Sequence, residues 1–337
     1  MTNLNAVMLP LLLVEDNAGD ARLIQIMLAE VGGFQISWVD RLSKALVAIP
    51  DGNFGAVLLD LSLPDARGME GIDAIRHLAP TLPVVILTGL DDEEMGRCAV
   101  RHGCQDYLVK GQGEGNLIRR TLIYAIERKA VEEERRQNAE TLKRILMQTV
   151  RTISLALEMR DPYTTGHQRR VAQLAVAIGL RLGLDEFRLE GLKTGSLIHD
   201  IGKLHVPAEF LSRPGRLSVE AFQVVKMHPS LGAEIIRNIE FPWPVATMIQ
   251  QHHERVDGSG YPCGVKGDDI ILEARIIAVA DVFEAIVSHR PYRPALGLKA
   301  AFDEIRLHSG ERYDAAVVDA CIAVVEEKGE QPFDSED

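Results

Sequence analysis

Residues 11–16 have the sequence LLLVED, a continuous apolar run that ends in two carboxylates. A strand that is buried on both faces has such a run because neither of its sides meets water. The apolar side chains of residues 20–31 then show helical spacing, and further strand candidates, separated by helical stretches, lie at residues 35–39, 56–59, 84–87 and 106–109. This alternation predicts an α/β domain in which helices doubly wind a five-stranded parallel sheet.

Residues 116–160 contain no proline and consist of helix-tolerant residues. Apolar side chains form a stripe at each end of this segment, whereas residues 127–140 are charged on most faces. One long helix that joins the first domain to a second is the simplest structure with this pattern. The pattern suits a solvated spacer and a two-stranded coiled coil about equally well, and on the second interpretation we expect a homodimer.

After Asp161-Pro162 the spacing of apolar residues predicts a series of helices, and no segment has the pattern of a strand. Apolar residues repeat on one face in the segments at 171–182, 189–198, 231–239, 245–252, 274–286 and 298–307. The main irregular segment is residues 255–269, which is rich in glycine and proline. The second domain is therefore predicted to be all-α.

The composition, 46% hydrophobic and 26% charged over 337 residues, is that of a globular protein with room for two domains. A net charge of −12 gives no counterion release on a nucleic-acid polymer, so DNA binding is not expected. The four cysteines form no CxxC pair, which is typical of a reducing compartment. The apolar run at residues 6–14 is too short to span a bilayer, and we expect a cytoplasmic protein without a membrane span.

Polar side chains stand where four of the predicted strands end. Glu15 and Asp16 follow the first strand, and Asp60, Thr88 and Lys110 end the third, fourth and fifth. Because ligands bind beyond the carboxyl ends of parallel strands, we expect these five residues to meet at one edge of the sheet. Carboxylates gathered there repel one another unless a cation lies among them, and Mg²⁺ prefers such oxygen ligands. With a lysine beside the carboxylates, this edge suits the uptake of a phosphoryl group.

Over residues 8–128 the chain resembles the response-regulator receiver family, on the motifs VEDN at 14–17, DLSLP at 60–64, LTG at 87–89 and DYLVK at 106–110. The resemblance implies that Asp60 is the phosphoacceptor and that a cognate sensor histidine kinase supplies the phosphoryl group. It further implies that Glu15 and Asp16 help to hold Mg²⁺, that Lys110 pairs with the phosphoryl group, and that Thr88 and Tyr107 are the switch residues. One departure is Gly111, where the family usually has proline.

Histidines and aspartates recur at suggestive places in the second half of the chain. His199-Asp200 and His252-His253 end predicted helices, and His228 begins another. Asp281 lies within an apolar helix, where a charged carboxylate is costly unless it is paired or binds a metal. Imidazole and carboxylate together suit iron, manganese, zinc or cobalt better than calcium or magnesium.

Over residues 145–330 the chain resembles the HD-GYP branch of the HD phosphohydrolase superfamily, on the motifs RDPYTTGH at 160–167, HDIGK at 199–203, RPG at 213–215, HHERVDGSGYP at 252–262, ARIIAVADVFEA at 274–285 and RPYRP at 290–294. The resemblance implies a cluster of two divalent transition metals, iron or manganese first, held by His167, His199, Asp200, His228, His252, His253 and Asp281.

The same resemblance assigns roles around that cluster. Asp200 would bridge the two metals, and Lys203 would steady the charge that develops on the phosphoryl oxygens. Arg290 and Arg293 correspond to residues that hold the substrate's phosphates, and Tyr261 borders the substrate. The implied reaction is opening of cyclic di-GMP to linear pGpG, with GMP as a further product.

One residue predicts two metals instead of three. Some members of the family have a metal-binding glutamate four residues before the first histidine ligand, and Tyr163 occupies that position here. On this interpretation His167 binds metal less tightly, or not at all. Two other functions stay open on the sequence: a non-catalytic HD-GYP domain that binds a nucleotide or a protein, and an HD phosphohydrolase that acts on mononucleotides or nucleoside triphosphates.

Control of the second domain by the first is a hypothesis. The helix at 116–160 is the obvious route, since phosphorylation at Asp60 would act on it through Thr88 and Tyr107. The sequence leaves open whether phosphorylation activates or inhibits, and whether cyclic di-GMP or cyclic GMP-AMP is preferred.

Overall fold

The computed structural model describes residues 8–66, 68–89, 98, 101, 103–111, 114–160, 166–212, 215, 217–288 and 295–328. The chain divides into two compact units, Met1–Leu142 and Lys143–Asp337. The division falls inside one long helix, and each unit has apolar clusters of its own.

The first unit contains a parallel sheet of five strands: β1 at Leu9–Val14, β2 at Phe34–Val39, β3 at Ala56–Asp60, β4 at Val84–Thr88 and β5 at Asp106–Val109. Their order in the sheet is β2-β1-β3-β4-β5. All five strand candidates are confirmed, with β1 beginning two residues earlier than the apolar run because the Leu9 amide pairs with the carbonyl of Gly33. The strand order places the ends of β1 and β3 side by side.

Helices cover both faces of this sheet: α1 at Ala18–Val31, α2 at Leu42–Asp51 and α3 at Glu70–Leu78. Side chains alternate along a strand, so that Leu12 and Val14 of β1 enter one apolar cluster while Leu11 and Leu13 enter another on the opposite face. Asp65, which lies outside α2 in the sequence, caps the N-terminus of that helix. Its carboxylate accepts hydrogen bonds from the first two amides of α2, at 2.9 Å each. The doubly wound α/β fold is confirmed.

The predicted connecting segment is one helix of 46 residues, α4 at Gly115–Arg160. Its first apolar stripe is buried in the first unit, at Ile118, Leu122 and Ala125. Val150 and Leu157 are buried in a cluster of the second unit. The charged middle is exposed and carries ion pairs from Arg136 to Glu133 and Glu140.

The described part of the second unit is helical, with one isolated β-bridge between Ser309 and Tyr313. Its α-helices are α5 at His167–Arg181, α6 at Glu186–Ile198, α7 at Ala208–Ser212, α8 at Val219–Val225, α9 at His228–Ile236, α10 at Val245–Gln251, α11 at Leu272–Val287, α12 at Gly297–Leu307 and α13 at Ala315–Lys328. The sequence analysis missed α7, α8 and α13, and the all-α class of this domain is confirmed. No helix in the described ranges has the length and apolar character that crossing a membrane requires.

Candidate functional site

The first candidate site lies at the carboxyl edge of the sheet, where the structure brings the predicted acidic residues and the predicted lysine together. Lys110 Nζ lies 2.8 Å from Asp60 Oδ2 and 2.9 Å from Glu15 Oε1. Glu15, Asp16 and Asp60 each offer an oxygen within 4.8 Å of the others. Asp60 and Glu15 are buried, whereas Asp16 is exposed to solvent.

Charge at this edge is strongly unbalanced. Burial raises the pKa of Glu15, and the hydrogen bond from Lys110 offsets only part of that rise. Burial by itself would lower the pKa of Lys110, but the hydrogen bonds to Asp60 and Glu15 outweigh burial and raise it. Asp20, which the sequence analysis did not single out, adds a further carboxylate 3.5 Å from Lys110 Nζ. The oxygen-rich donor set around a single ammonium group fits a hard divalent cation such as Mg²⁺.

The two predicted switch residues lie on neighbouring strands, Thr88 at the end of β4 and Tyr107 in β5. The Thr88 hydroxyl is buried and has no hydrogen-bond partner among the described residues. Tyr107 is half-buried against an apolar cluster of the sheet. Gly111 has a φ of 76°, which proline cannot adopt, so the backbone after Lys110 differs here from the usual proline-bearing loop.

The second candidate site lies where several helix ends meet. The predicted ligands stand at or just beyond helix ends, apart from one aspartate within a helix: His167 begins α5, His199-Asp200 follows α6, His228 begins α9, His252-His253 follows α10, and Asp281 lies within α11. A Cβ at Gly202 would lie 1.8 Å from the carbonyl oxygen of His228 and 2.6 Å from the amide nitrogen of Gly232. Glycine is therefore required in the HDIGK motif for the segment after Asp200 to approach the start of α9.

The seven predicted ligands form two neighbouring groups: Asp200 with His228, His252 and His253, and His167 with His199 and Asp281. Within each group the possible ligand atoms all lie within 4.8 Å of one another. Imidazole nitrogens and carboxylate oxygens in this proportion suit transition-metal cations. Each group could therefore hold one such cation.

Asp200 lies between the two groups and turns one carboxylate oxygen toward each. Its Oδ1 is 3.3 Å from His228 Nε2, and its Oδ2 is 3.4 Å from His199 Nε2. Burial alone would raise the pKa of Asp200, but the charge of Lys203 and the neighbouring imidazoles hold that pKa well below its usual range. An ionised carboxylate in this position lies beside one histidine of each group.

Three of the histidines are held by the same kind of contact. Each donates from Nδ1 to a backbone carbonyl three residues earlier, His199 to Ser196 at 2.7 Å, His228 to Val225 at 2.8 Å and His252 to Ile249 at 2.6 Å. Because Nδ1 makes the backbone contact, Nε2 is the nitrogen that each ring turns toward the site. The backbone carbonyls three residues earlier therefore set the orientation of these rings and favour the proton on Nδ1.

The Nε2 atoms in the site lie close together and lack enough hydrogen-bond partners among the described residues, an arrangement that suits a bound cation. His228 Nε2 and His252 Nε2 lie only 3.3 Å apart, and His199 Nε2 is buried with no hydrogen-bond partner among the described residues. Burial, followed by the positive charge of adjacent imidazoles, lowers the pKa of His252 and His253 well below the ordinary value. These rings are therefore neutral at physiological pH, as metal ligands must be.

Comparison with known proteins decides the family. A family model for the response regulator receiver domain matches residues 11–122, and a model for the HD domain matches residues 151–317. The cyclic di-GMP phosphodiesterase response regulator RpfG of Xanthomonas campestris is 32% identical over 286 residues, which cover 80% of this chain and 75% of that protein. The chain belongs to the response regulators that carry an HD domain.

Two further relatives extend the comparison. A cyclic di-GMP phosphodiesterase of Thermotoga maritima is 30% identical over 318 residues, which cover 88% of this chain and 86% of that protein. The 3'3'-cGAMP-specific phosphodiesterase 3 of Vibrio cholerae is 38% identical over 145 residues, which cover 43% of this chain and 32% of that protein. Both resemblances seen in the sequence, to the receiver family and to the HD-GYP branch, are confirmed.

A buried carboxylate that the sequence analysis missed holds His167 in the HD domain. Glu284 lies one helical turn after Asp281 on α11, and its carboxylate accepts a short hydrogen bond from His167 Nδ1. The same carboxylate accepts hydrogen bonds from Arg170 Nε at 2.7 Å and from the Ser288 hydroxyl at 2.5 Å. Burial by itself would lower the pKa of His167, but hydrogen bonds to Asp281 and Glu284 raise it to about 9.

A second missed carboxylate fixes the loop of the GYP motif. Glu254 is 2% exposed, and its Oε1 accepts hydrogen bonds from the amides of Cys263 at 2.7 Å and Gly264 at 3.1 Å. A Cβ at Gly260 would lie 2.4 Å from the Cα of Glu254, so the loop is packed directly against the segment that follows α10. This packing brings the ring of Tyr261 to 4.8 Å from the ring of His253, between centroids, with 32° between their planes.

The remaining predicted residues divide into one that joins the site and three that are not described. Lys203 Nζ lies 2.6 Å from Asp200 Oδ2. Tyr163, Arg290 and Arg293 lie outside the described residues. His205, a histidine close to the HDIGK motif, is exposed to solvent. Motif order in the sequence pointed to the predicted ligands, and Glu254 and Glu284 lie inside two of the same motifs, HHERVDGSGYP at 252–262 and ARIIAVADVFEA at 274–285, which is the signal that could have pointed to them.

Proposed function

We propose that this response regulator is a metal-dependent cyclic dinucleotide phosphodiesterase that opens cyclic di-GMP to linear pGpG, with GMP as a further product, under the control of phosphorylation at Asp60. The observation that carries the proposal is the position of Asp200, with one carboxylate oxygen toward each of two histidine-containing groups. The names of the relatives, which include cyclic di-GMP and 3'3'-cGAMP phosphodiesterases, support the substrate class.

The HD domain would hold two divalent transition metals, iron or manganese, on its two groups of ligands. Such a pair lowers the pKa of water, which makes a nucleophile available at neutral pH, and stabilises charge on the phosphoryl oxygens. Asp200 is kept ionised and oriented by Lys203, and the Nδ1 contacts of His199, His228 and His252 fix the rings. In this proposal Tyr261 borders the substrate, and Arg290 and Arg293 hold its phosphates through bidentate hydrogen bonds.

In the receiver domain, Asp60 would take the phosphoryl group from a cognate sensor histidine kinase. Mg²⁺, held by Glu15, Asp16 and Asp60, would neutralise charge on the transferring oxygens. Lys110 already contacts the Asp60 carboxylate and would pair with the phosphoryl group. Thr88 offers a buried hydroxyl at the neighbouring strand end that has no hydrogen-bond partner in the described part of the chain, which supports its assignment as the switch hydroxyl.

Control would pass through helix α4. Several apolar side chains on this helix are exposed in the single chain, among them Tyr124 at 61%, Leu142 at 67% and Leu155 at 61%. These exposed side chains support the proposal of a homodimer whose pairing responds to phosphorylation. Mass photometry of the Asp60→Asn variant and of acetyl-phosphate-treated protein tests this, and identical mass and identical turnover in all states would remove the coupling proposal.

The activity is tested by anaerobic metal analysis together with turnover. Wild type, Asp200→Ala and the control Asp303→Ala, a change at an exposed aspartate of α12, are assayed on cyclic di-GMP, 3'3'-cGAMP and mononucleotides. We expect two metals per chain and turnover of cyclic di-GMP in wild type and control, and no turnover in Asp200→Ala. Metal-loaded wild type without turnover would instead indicate a nucleotide-binding module, and faster hydrolysis of mononucleotides would reject the substrate class.

A further inference from the structure

Lys226 lies beside the candidate substrate site, close to two aromatic rings. It follows helix α8 and precedes His228 by two residues, and its side chain is half-buried. Lys226 Nζ stands 5.1 Å from the centroid of the Phe222 ring and 5.3 Å from that of Tyr261. Among the described residues no carboxylate lies within 4.0 Å of this ammonium group. Two aromatic rings position the lysine without neutralising it.

This setting differs from that of Lys203, the other lysine near the site. Lys203 is engaged with Asp200 at 2.6 Å, so its charge is already used in holding a predicted metal ligand. Lys226 instead places its ammonium group over the ring of Tyr261, the residue expected to border the substrate. The Tyr261 ring lies 4.8 Å from the His253 ring. The ammonium group is therefore at most the sum of the two ring distances, about 10 Å, from a predicted metal ligand.

The position of Lys226 follows from the fold of the GYP loop. Glu254 accepts hydrogen bonds from Cys263 and Gly264, and Gly260 packs against the Glu254 backbone. The backbone of Tyr261 is held within the same loop, since its amide donates a 3.3 Å hydrogen bond to the carbonyl of His253. A fixed ring gives the ammonium group a fixed place, which limits the side-chain entropy that binding an anion would otherwise cost.

A cyclic dinucleotide has two phosphodiesters, and only one of them is cleaved at a time. The other carries a full negative charge and must lie close to the metal centre, because a single ribose on each side separates the two phosphates. We propose that Lys226 binds this second, uncleaved phosphate of the substrate, which makes it a specificity residue for cyclic dinucleotides over substrates with one phosphodiester. The inference rests on the proposed phosphodiesterase function and adds the residue that recognises the second phosphate.

The test compares Lys226→Met, which keeps the aliphatic stem against both rings, with Lys226→Arg, which keeps the charge. Lys193→Met, at an exposed lysine of α6, is the matched control. Each full-length protein is loaded anaerobically with the same metal and its metal content is measured. Turnover is then followed on cyclic di-GMP and on bis(p-nitrophenyl) phosphate, a diester with no second phosphate.

We expect Lys226→Met to raise KM for cyclic di-GMP roughly tenfold, as expected for loss of one charge-assisted contact, with kcat and metal content little changed. Both kinetic constants for bis(p-nitrophenyl) phosphate should stay at the wild-type value, and Lys226→Arg should restore most of the KM. An unchanged KM for cyclic di-GMP in Lys226→Met, or an equal rise on both substrates, would overturn the inference while leaving the proposed function intact. A wild type that hydrolyses bis(p-nitrophenyl) phosphate but neither binds nor opens cyclic dinucleotides would overturn the proposed function, and this inference with it.

Discussion

The receiver domain and the HD domain each contain a buried aspartate in contact with a lysine. Asp60 lies 2.8 Å from Lys110, and Asp200 lies 2.6 Å from Lys203. The surroundings of the two pairs differ. Carboxylates surround the first, whereas the second lies between imidazole rings whose Nδ1 atoms are already bound to backbone carbonyls.

The two aspartate–lysine pairs therefore suit different chemistry, although their residue types are the same. Around Asp60 the oxygen-only donor set suits a hard cation, and the carboxylate accepts hydrogen bonds from Lys110 on Oδ2 and from the Ser62 amide on Oδ1. Around Asp200 the imidazoles suit transition metals, and both carboxylate oxygens face other predicted ligands. The neighbours of the aspartate, more than the aspartate–lysine pair, therefore separate the proposed phosphoacceptor from the proposed transition-metal ligand.

The largest expected effect is that one substitution in each site abolishes the activity of that site alone. Asp60→Asn removes the attacking carboxylate, so we expect no phosphoryl uptake from acetyl phosphate, with transition-metal content and basal turnover preserved. Asp200→Asn should show the reverse, with phosphorylation intact and turnover lost. Phosphate-affinity gel electrophoresis and metal analysis of the same samples provide the measurements, with Asp51→Asn, at an exposed aspartate, as control. Residual phosphorylation of Asp60→Asn would show that another residue accepts the group.

The second prediction concerns the carboxylate that holds His167. Glu284→Gln removes the charge that orients this ring, and loss of such a partner typically lowers metal affinity by about 10–100-fold. We expect one metal per chain to become easily removed by a chelator while the other is retained, as measured by anaerobic competition. Glu273→Gln is the matched control, since Glu273 is a buried carboxylate of the same helix that pairs with Arg188. Equal metal loss in both variants would mean that the effect comes from destabilised α11 and not from His167.

The sequence predicted the sheet well because its strands are buried runs that local pattern alone reveals. Helix α13 was missed for the opposite reason. Val317, Val318, Val324 and Val325 are all buried in the apolar cluster of the second unit, and such a β-branched composition has low helix propensity. Packing against α5 and α11, which no local pattern contains, decides its helical state.

The candidate site shows the same limit. The histidines and aspartates were found because they fall in ordered motifs, but the partners of Glu284 and Glu254 are set by tertiary structure. His167 and Glu284 are separated by 117 positions in the sequence. Glu254 follows a histidine pair and appears on the sequence as one more solvated charge. Only the folded chain shows that it accepts two backbone hydrogen bonds from the loop that carries Tyr261.

The third prediction concerns the lysine of the receiver site and its effect on the affinity for Mg²⁺. In the receiver site Lys110 occupies the same carboxylate oxygens that Mg²⁺ would bind, so the two cations compete. Lys110→Met should therefore raise the affinity for Mg²⁺ by roughly fivefold to tenfold, while it lowers the yield of phosphorylated protein. Calorimetric titration with Mg²⁺ gives the affinity, and Lys44→Met, at an exposed lysine paired with Asp40, is the control. Weaker Mg²⁺ binding in Lys110→Met would show that the lysine organises the carboxylates and does not compete for them.

The smallest expected effect is spectroscopic and belongs to the receiver site alone. Trp38 Nε1 donates a 2.8 Å hydrogen bond to the backbone carbonyl of Glu15, so a cation held by the Glu15 carboxylate acts on the electrostatic environment of the indole ring. We expect Mg²⁺ to change tryptophan emission by roughly a tenth to a third, and Trp38→Phe to abolish the change. Trp243, in the other unit, supplies the internal control, because Trp243→Phe should lower the total emission and leave the Mg²⁺ response intact. A response that survives in Trp38→Phe would place the Mg²⁺-sensitive group in the HD domain, and the division of hard and transition-metal cations between the two sites would then be wrong.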